Sequence, residues 1–365
     1  MFGRDLLLRA QYRLRQVGRE RKGSPRILVI GVCQGGAVAR VMRYLLPEAR
    51  IDFVSAFTAA RRHRRLADLI GTTDRYDKVF TNVYLPPFRD DGTITDLAAR
   101  PNVRIIPTLM FPAYHPDLVH VGKLDAATLG GLVSGPMGHS HSAVTLYAYL
   151  AGFSEAQALR LFTEAVFERL GYFEFWTGSV AAQRQLGRDA GFDLDAALTR
   201  WPRRGCFMHS INHPKLYVVA DIARGLLAQS GIAFEECDLD AFMPDDLGSM
   251  GSWPVYPEIA QHYGVQGSAL FFKAETPRSG PARTMTRAAF VKAAYAYYAN
   301  RPREALVNAR VGGWQADEAT VDFFRSAAGH GASAGPSARS TVPVPGRSPG
   351  MPPRASIQTE APAEV

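Results

Sequence analysis

The feature that most constrains the fold is an uninterrupted apolar run over residues 26–32, Arg-Ile-Leu-Val-Ile-Gly-Val, followed at once by Cys33-Gln34-Gly35-Gly36 and a helical pattern over 37–46. A strand with one wet face alternates apolar and polar residues. One that is apolar throughout is buried on both faces, as in a parallel sheet. Pro47 stops the helix. Strand-like runs return at 51–56, 78–82 and 103–107, with a helical pattern over 59–70 between the first two. This alternation predicts βαβ units in an α/β fold: a three-layer open sandwich around a mostly parallel sheet.

The remainder is patterned differently. Residues 108–141 are rich in Gly, Pro and His and read as loop. Residues 143–198 predict a helical insertion, with Ser154-Glu155 as a cap. Strand-like sequence returns at 204–208, then a helix over 214–229 with Pro at its first turn, and a last helix over 285–300. From Gly329 onward Gly, Ser, Pro and Ala dominate. Such a segment buries too little apolar surface to offset chain entropy and is expected to be a disordered tail. The expected organisation is a basic amphipathic helix within 1–25, an α/β catalytic domain over 26–328, and the tail over 329–365.

Charge narrows the partners. Lysine and arginine number 42 against 34 acidic residues, a net charge of +8. Residues 1–26 hold eight basic and two acidic side chains, so +6 of it lies there. A body that grips duplex nucleic acid would spread its charge, and no nucleic acid is expected as a partner. Leu6, Leu7, Ala10, Leu14 and Val17 recur at helical spacing within 3–18. That helix would pack on the body, or meet anionic lipid or a glycan-assembly partner. Three cysteines, Cys33, Cys206 and Cys237, make no disulfide framework. Arg9 interrupts Leu6–Leu8, unlike a secretory signal, and the longest uncharged stretch, 126–154, is too rich in Gly, Ser and His to span a bilayer. The expected location is cytoplasmic, with peripheral contact at the inner membrane face.

Chemistry concentrates at two points. Cys33 lies where the first strand ends and a helix begins, where open α/β sheets bind ligands. Helix N-terminal N–H groups lower a thiol pKa or hold an anion, and Gly35 and Gly36 let a ligand approach the backbone. The competing reading is a buried structural cysteine in a tight turn. Neither a G-x-G-x-x-G fingerprint nor a P-loop is present. The second point is His209-Ser210-Ile211-Asn212-His213-Pro214, where His213 is placed as a general base. Cys206, His209 and His213, with His139 and His141 and with His115 and His120, fall short of a zinc pattern, and no metal is expected. The loop 110–117, carrying Phe111, Tyr114 and His115, either lines a substrate cleft or covers the sheet. Arg61, Arg62, Arg64 and Arg65 form a basic run that either meets phosphate or is a solvated helix face. The loop 248–257, with Trp253 and Tyr256, reads as a packing clasp or a pocket wall.

Taken in order, these segments resemble the WcbI family of polysaccharide-biosynthesis proteins. The likeness is carried by strand-then-Cys33-Gln34, Phe111-Pro112 with His115-Pro116-Asp117, Ser210 with Asn212-His213-Pro214, and Trp253-Pro254-x-Tyr256-Pro257, over roughly residues 26–275. It implies an acetyltransferase that uses coenzyme A as acyl donor and a capsular or surface polysaccharide as acceptor. The layout is also similar to SGNH/GDSL hydrolases, with Cys33 in place of serine, Ser210-x-x-His213 in place of D-x-x-H, and Asn82 as oxyanion-hole residue. On this reading Cys33, His213, Asn82 and Ser210 are catalytic. Gln34, Gly35, Gly36, Arg61, Arg62, Arg64, Arg65, Asn212 and Lys215 meet the coenzyme A. Phe111, Tyr114, His115, His139, His141, Trp253 and Tyr256 meet the sugar. The alternatives are a Cys/His esterase or thioesterase, and a non-catalytic module binding coenzyme A or a nucleotide.

Overall fold

The computed structural model describes residues 23–56, 59, 65–82, 94–125, 130–273 and 282–329. The expected amphipathic helix, most of the expected tail, and Arg61, Arg62 and Arg64 lie outside them. Four strands, β1 (Arg26–Gly31), β2 (Arg50–Ser55), β3 (Lys78–Asn82) and β4 (Val103–Ile106), form one sheet in the order β2-β1-β3-β4. Every pairing is parallel. Residues 27–30 of β1 are buried on both faces, as the sequence predicted. Ile27 and Val29 point into the main core with Val38, Val41, Met42 and Leu45 of α1 (Cys33–Leu45). Leu28 and Ile30 point the other way, onto Val79, Val103, Leu97 and Leu69 of α2 (Leu66–Thr73). Each such aliphatic contributes about 1.5–3 kcal/mol by leaving water, so a one-residue slip of β1 would be prohibitive.

After α3 (Ile94–Leu97) and β4, the segment read as loop contains short antiparallel pairs instead. β5 (Leu118–His120) pairs with β8 (Ser140–Ser142), and β6 (Gly122–Asp125) with β7 (Gly130–Leu132). Strands of three or four residues rich in Gly and His leave no alternation to read. The expected helical middle is present as α4 (Ala143–Leu150), α5 (Glu155–Arg160), α6 (Glu164–Arg169), α7 (Phe175–Asp189) and α8 (Asp195–Arg200). Ser154 caps α5 reciprocally with Gln157.

The strand expected at 204–208 starts later. β9 (Met208–Ser210) and β10 (His213–Pro214) make a tight hairpin, followed by α9 (Leu216–Gln229), which packs beside α1. Next come α10 (Asp246–Ser249), α11 (Pro257–Tyr263), a β11 (Leu270–Lys273) and β12 (Arg283–Thr286) pair, and α12 (Arg287–Ala299). Two further helices, α13 (Ala309–Ala316) and α14 (Glu318–Ala327), were not read from the sequence. Among the described residues no helix is long and apolar enough to cross a membrane.

Candidate functional site

Cys33 opens α1 at the carboxyl end of β1, as expected, and its side chain is exposed. No side chain caps this helix start. The expectation of a lowered thiol pKa is not met. Desolvation by the surrounding atoms raises it, and the residue's own backbone N–H offsets only part of that. At neutral pH the sulfur is a thiol that needs a base.

Gln34 ties this turn to the hairpin that carries His213. Its side chain is buried and fully engaged: Nε2 donates to Leu109 O at 2.8 Å and to Asn212 O at 2.9 Å, while Oε1 accepts from Leu109 N at 2.9 Å. The Asn212 carbonyl belongs to the peptide leading into His213. The residue after the thiol therefore anchors the residue before the imidazole. Gln34 is a strut, and no polar atom of its side chain is left over for coenzyme A. His213 is pushed down to about 4 by burial first, then by His209, with Asp245 opposing. It is a neutral imidazole able to accept a proton, and among the described residues no carboxylate hydrogen-bonds to it.

Beneath the turn lies Asn82, at the end of β3 and fully buried. Its Nδ2 donates to Thr108 Oγ1 at 2.7 Å, and its Oδ1 has no partner. A Cβ on Gly31 would come within 2.1 Å of that oxygen, and one on Gly35 within 2.6 Å. Gly31 and Gly35 are thus required by the close approach of Asn82. Asn82 is fully buried beneath the turn, and its one hydrogen bond goes to Thr108. Gly36 sits 3.4 Å, by the same measure, from the Phe53 ring. Ser210 Oγ donates to Asn212 Oδ1 at 3.2 Å, which shapes the hairpin turn.

The expected sugar-facing residues are mostly interior. Phe111 and Tyr114 are buried in an aromatic cluster with Trp176 and Phe207. Trp253 packs edge-on against Phe271 and Phe290. Tyr256 donates to Asp117 Oδ2 at 2.9 Å. His141 is sealed, its Nε2 against Val133 O at 2.9 Å and its Nδ1 against Tyr298 OH at 3.0 Å. These are core members because their rings pack on one another, which composition alone could not distinguish from a cleft lining. His115 is buried too, and burial holds it at about 4. His139 is exposed at the β8 approach and holds His120 through its carbonyl.

Among the basic candidates, Arg65 is the exposed residue preceding α2, and Lys215 precedes α9. Lys215 lines a cleft of about 310 Å³ with Arg204, Tyr217, Met243 and Asp245. Among the described residues no three His, Cys, Asp or Glu side chains group as metal ligands.

Sequence reasoning singled out 248–257 as a clasp or pocket wall but did not connect Asp245 and Ser252 to His209. Asp245 Oδ2 lies 2.8 Å from His209 Nε2. Ser252 Oγ lies 3.3 Å from His209 Nδ1. The carboxylate that acts on His213 only from a distance is thus hydrogen-bonded to the neighbouring histidine. The separation of 36 and 43 residues along the chain carries no local signal.

No curated protein and no solved structure matches the chain. The family model of the polysaccharide biosynthesis enzyme WcbI matches residues 26–235, which hold the parallel sheet, the Cys33 turn and the His213 hairpin. That is more than half of the chain, and the protein belongs to the WcbI family of polysaccharide biosynthesis enzymes.

Proposed function

We propose that this member is an acyl-CoA-dependent O-acyltransferase, acetyl being the expected group, that modifies a sugar of a capsular or surface polysaccharide. The observation that supports it best is the Gln34 strut, which bonds the residue after the thiol to the carbonyl of the residue before the imidazole. The Cys33 sulfur attacks the thioester carbonyl and gives its proton to His213. The C–S bond to coenzyme A breaks, and the leaving thiolate takes that proton back. A sugar hydroxyl then attacks the Cys33 thioester, His213 takes its proton, and the thiol is restored. A neutral resting pair suits this sequence, since neither partner is ionised before substrate arrives. Lys215, on the cleft beside the hairpin, is the described cation best placed for an anionic acyl donor.

Calorimetric titration with coenzyme A, with ATP as control, tests the donor. Single-turnover acylation with acetyl-CoA tests the nucleophile. Cys33→Ala is expected to bind coenzyme A but form no adduct on the peptide that holds position 33, and to give sugar ester well below the wild-type rate. Ester formation at the wild-type rate in Cys33→Ala would leave direct attack on the donor instead.

A further inference from the structure

A second set of groups fitted for acyl chemistry stands beside this site, and the scheme above does not use it. Ser252 Oγ is 3.3 Å from His209 Nδ1, and His209 Nε2 is 2.8 Å from Asp245 Oδ2. Asp245 is fixed by more than the histidine: Oδ2 accepts from Leu216 N and Oδ1 from Gly248 N, each at 2.9 Å. The His209 contact and these backbone bonds together outweigh desolvation and hold its carboxyl below the usual range. The Asp245 carboxylate accepts the Nε2 proton of His209. The ring's lone pair is then on Nδ1, the atom that faces the serine.

The backbone holds this alignment. Ser252 N donates to Phe272 O at 2.9 Å and Phe272 N returns to Ser252 O at 3.1 Å. Trp253 N donates to His209 O at 2.8 Å. Serine and histidine therefore sit on directly bonded segments. Gly248 backs the ring, since a Cβ there would come within 2.8 Å of Cε1 and Nε2. Exposure separates this array from a structural one. His141 spends both nitrogens at 0% exposure, whereas His209 and Asp245 keep 17% and 29% of their side chains open, and Ser252 is only half-buried.

We propose that Ser252, His209 and Asp245 form a second acyl-accepting centre, in which Ser252 takes an acyl group from an ester or thioester. The reversed use of the ring nitrogens, carboxylate on Nε2 and hydroxyl on Nδ1, is chemically equivalent to the usual triad. Ser252 Oγ bonds to the carbonyl carbon and its proton passes to His209 Nδ1, while Asp245 stabilises the imidazolium. The C–O or C–S bond breaks, and the leaving alcohol or thiol takes the proton from Nδ1. Water or a sugar hydroxyl then releases the acyl group: its proton goes to Nδ1, the Oγ–acyl bond breaks, and Oγ is reprotonated. This centre does not depend on coenzyme A or on Cys33.

The test treats wild type and Cys33→Ala with p-nitrophenyl acetate, and separately with a small fluorophosphonate, and locates adducts by peptide mass mapping. Both proteins are expected to carry a fluorophosphonate adduct on Ser252. Cys33→Ala is expected to give an acetyl adduct there, absent in Ser252→Ala. His209→Gln, which can still reach Asp245, should label at least about tenfold more slowly, at the low end of what a general base contributes. An unmodified Ser252 in folded wild-type protein, or equal labelling rates in His209→Gln and wild type, would overturn the proposal. A failed coenzyme A titration leaves this result untouched, so the two readings fail separately.

Discussion

At the scale of single residues, Gln34 carries the most consequence. Truncation at Gln34→Ala would leave Leu109 N, Leu109 O and Asn212 O without their partner in a buried place. With each net bond worth about 0.5–1.5 kcal/mol and orphaned groups costing more, the expected loss is about 2–4 kcal/mol. Gln34→Glu is the sharper variant. It keeps an acceptor for Leu109 N but turns an oxygen toward two carbonyls, so the Asn212 peptide should move away from Cys33. The expected outcome is a drop in kcat well beyond what lost stability explains, measured by acyl transfer beside urea unfolding. Cys33, Gln34 and His213 were all visible in the sequence as chemistry-bearing residues. The role of Gln34 was not, because its partner Asn212 lies 178 positions away and nothing local to either residue encodes the pairing.

At the scale of elements, the junction of β5, α4 and α11 is organised by one buried carboxylate. Asp117 accepts from Val144 N at 2.9 Å, from Tyr172 OH at 3.0 Å and from Tyr256 OH at 2.9 Å. It thereby ties the start of α4 to the turn before α7 and to the N-cap of α11. Burial still raises its carboxyl above the ordinary range. Asp117→Asn turns an amide donor toward a group that already donates, and is expected to cost about 3–5 kcal/mol, as breaking a buried charged network does. Unfolding in urea checks it, and a midpoint unchanged from wild type would contradict this account. The sequence singles out 110–117 as special but does not decide between a cleft lining and a cover for the sheet. A run of aromatic residues reads the same whether its rings face a ligand or one another. The helices α4 to α8 were legible because their periodicity and caps are local, as at Ser154 with Gln157. α13 was missed because Gly312-Gly313 interrupts its helical pattern, and α14 because it follows one residue later with no capping side chain to mark its start.

For the whole molecule, acid is the expected weakness. His115 and His141 are both buried, and desolvation brings each to about 4. In the unfolded chain they would take a proton below about 6.5. The stability they contribute is complete above that pH and is lost as pH falls toward about 4. By pH 5 the loss is on the order of 2 kcal/mol for each. Asp117 works in the opposite sense, its contribution shrinking as pH rises from its ordinary range, so the net loss is somewhat smaller. Urea midpoints are expected to fall markedly between pH 7 and pH 5, and a flat profile would contradict the burial of these rings as neutral groups. The parallel sheet behind all this was readable chiefly from β1, whose residues 27–31 are buried, and β3, buried from Val79 on, while β2 is half exposed and β4 keeps Arg104 in water. The Gln34 strut also fixes an order of events. It joins segments 75 and 178 positions apart, and loops that long cost entropy before their contacts repay it. Helices can form from neighbours alone, but Gln34 meets the Asn212 carbonyl only after the hairpin at 208–214 has been made and docked. A chain emerging from the ribosome thus carries Cys33 and Gln34 without the hairpin that Gln34 anchors until synthesis has passed its midpoint.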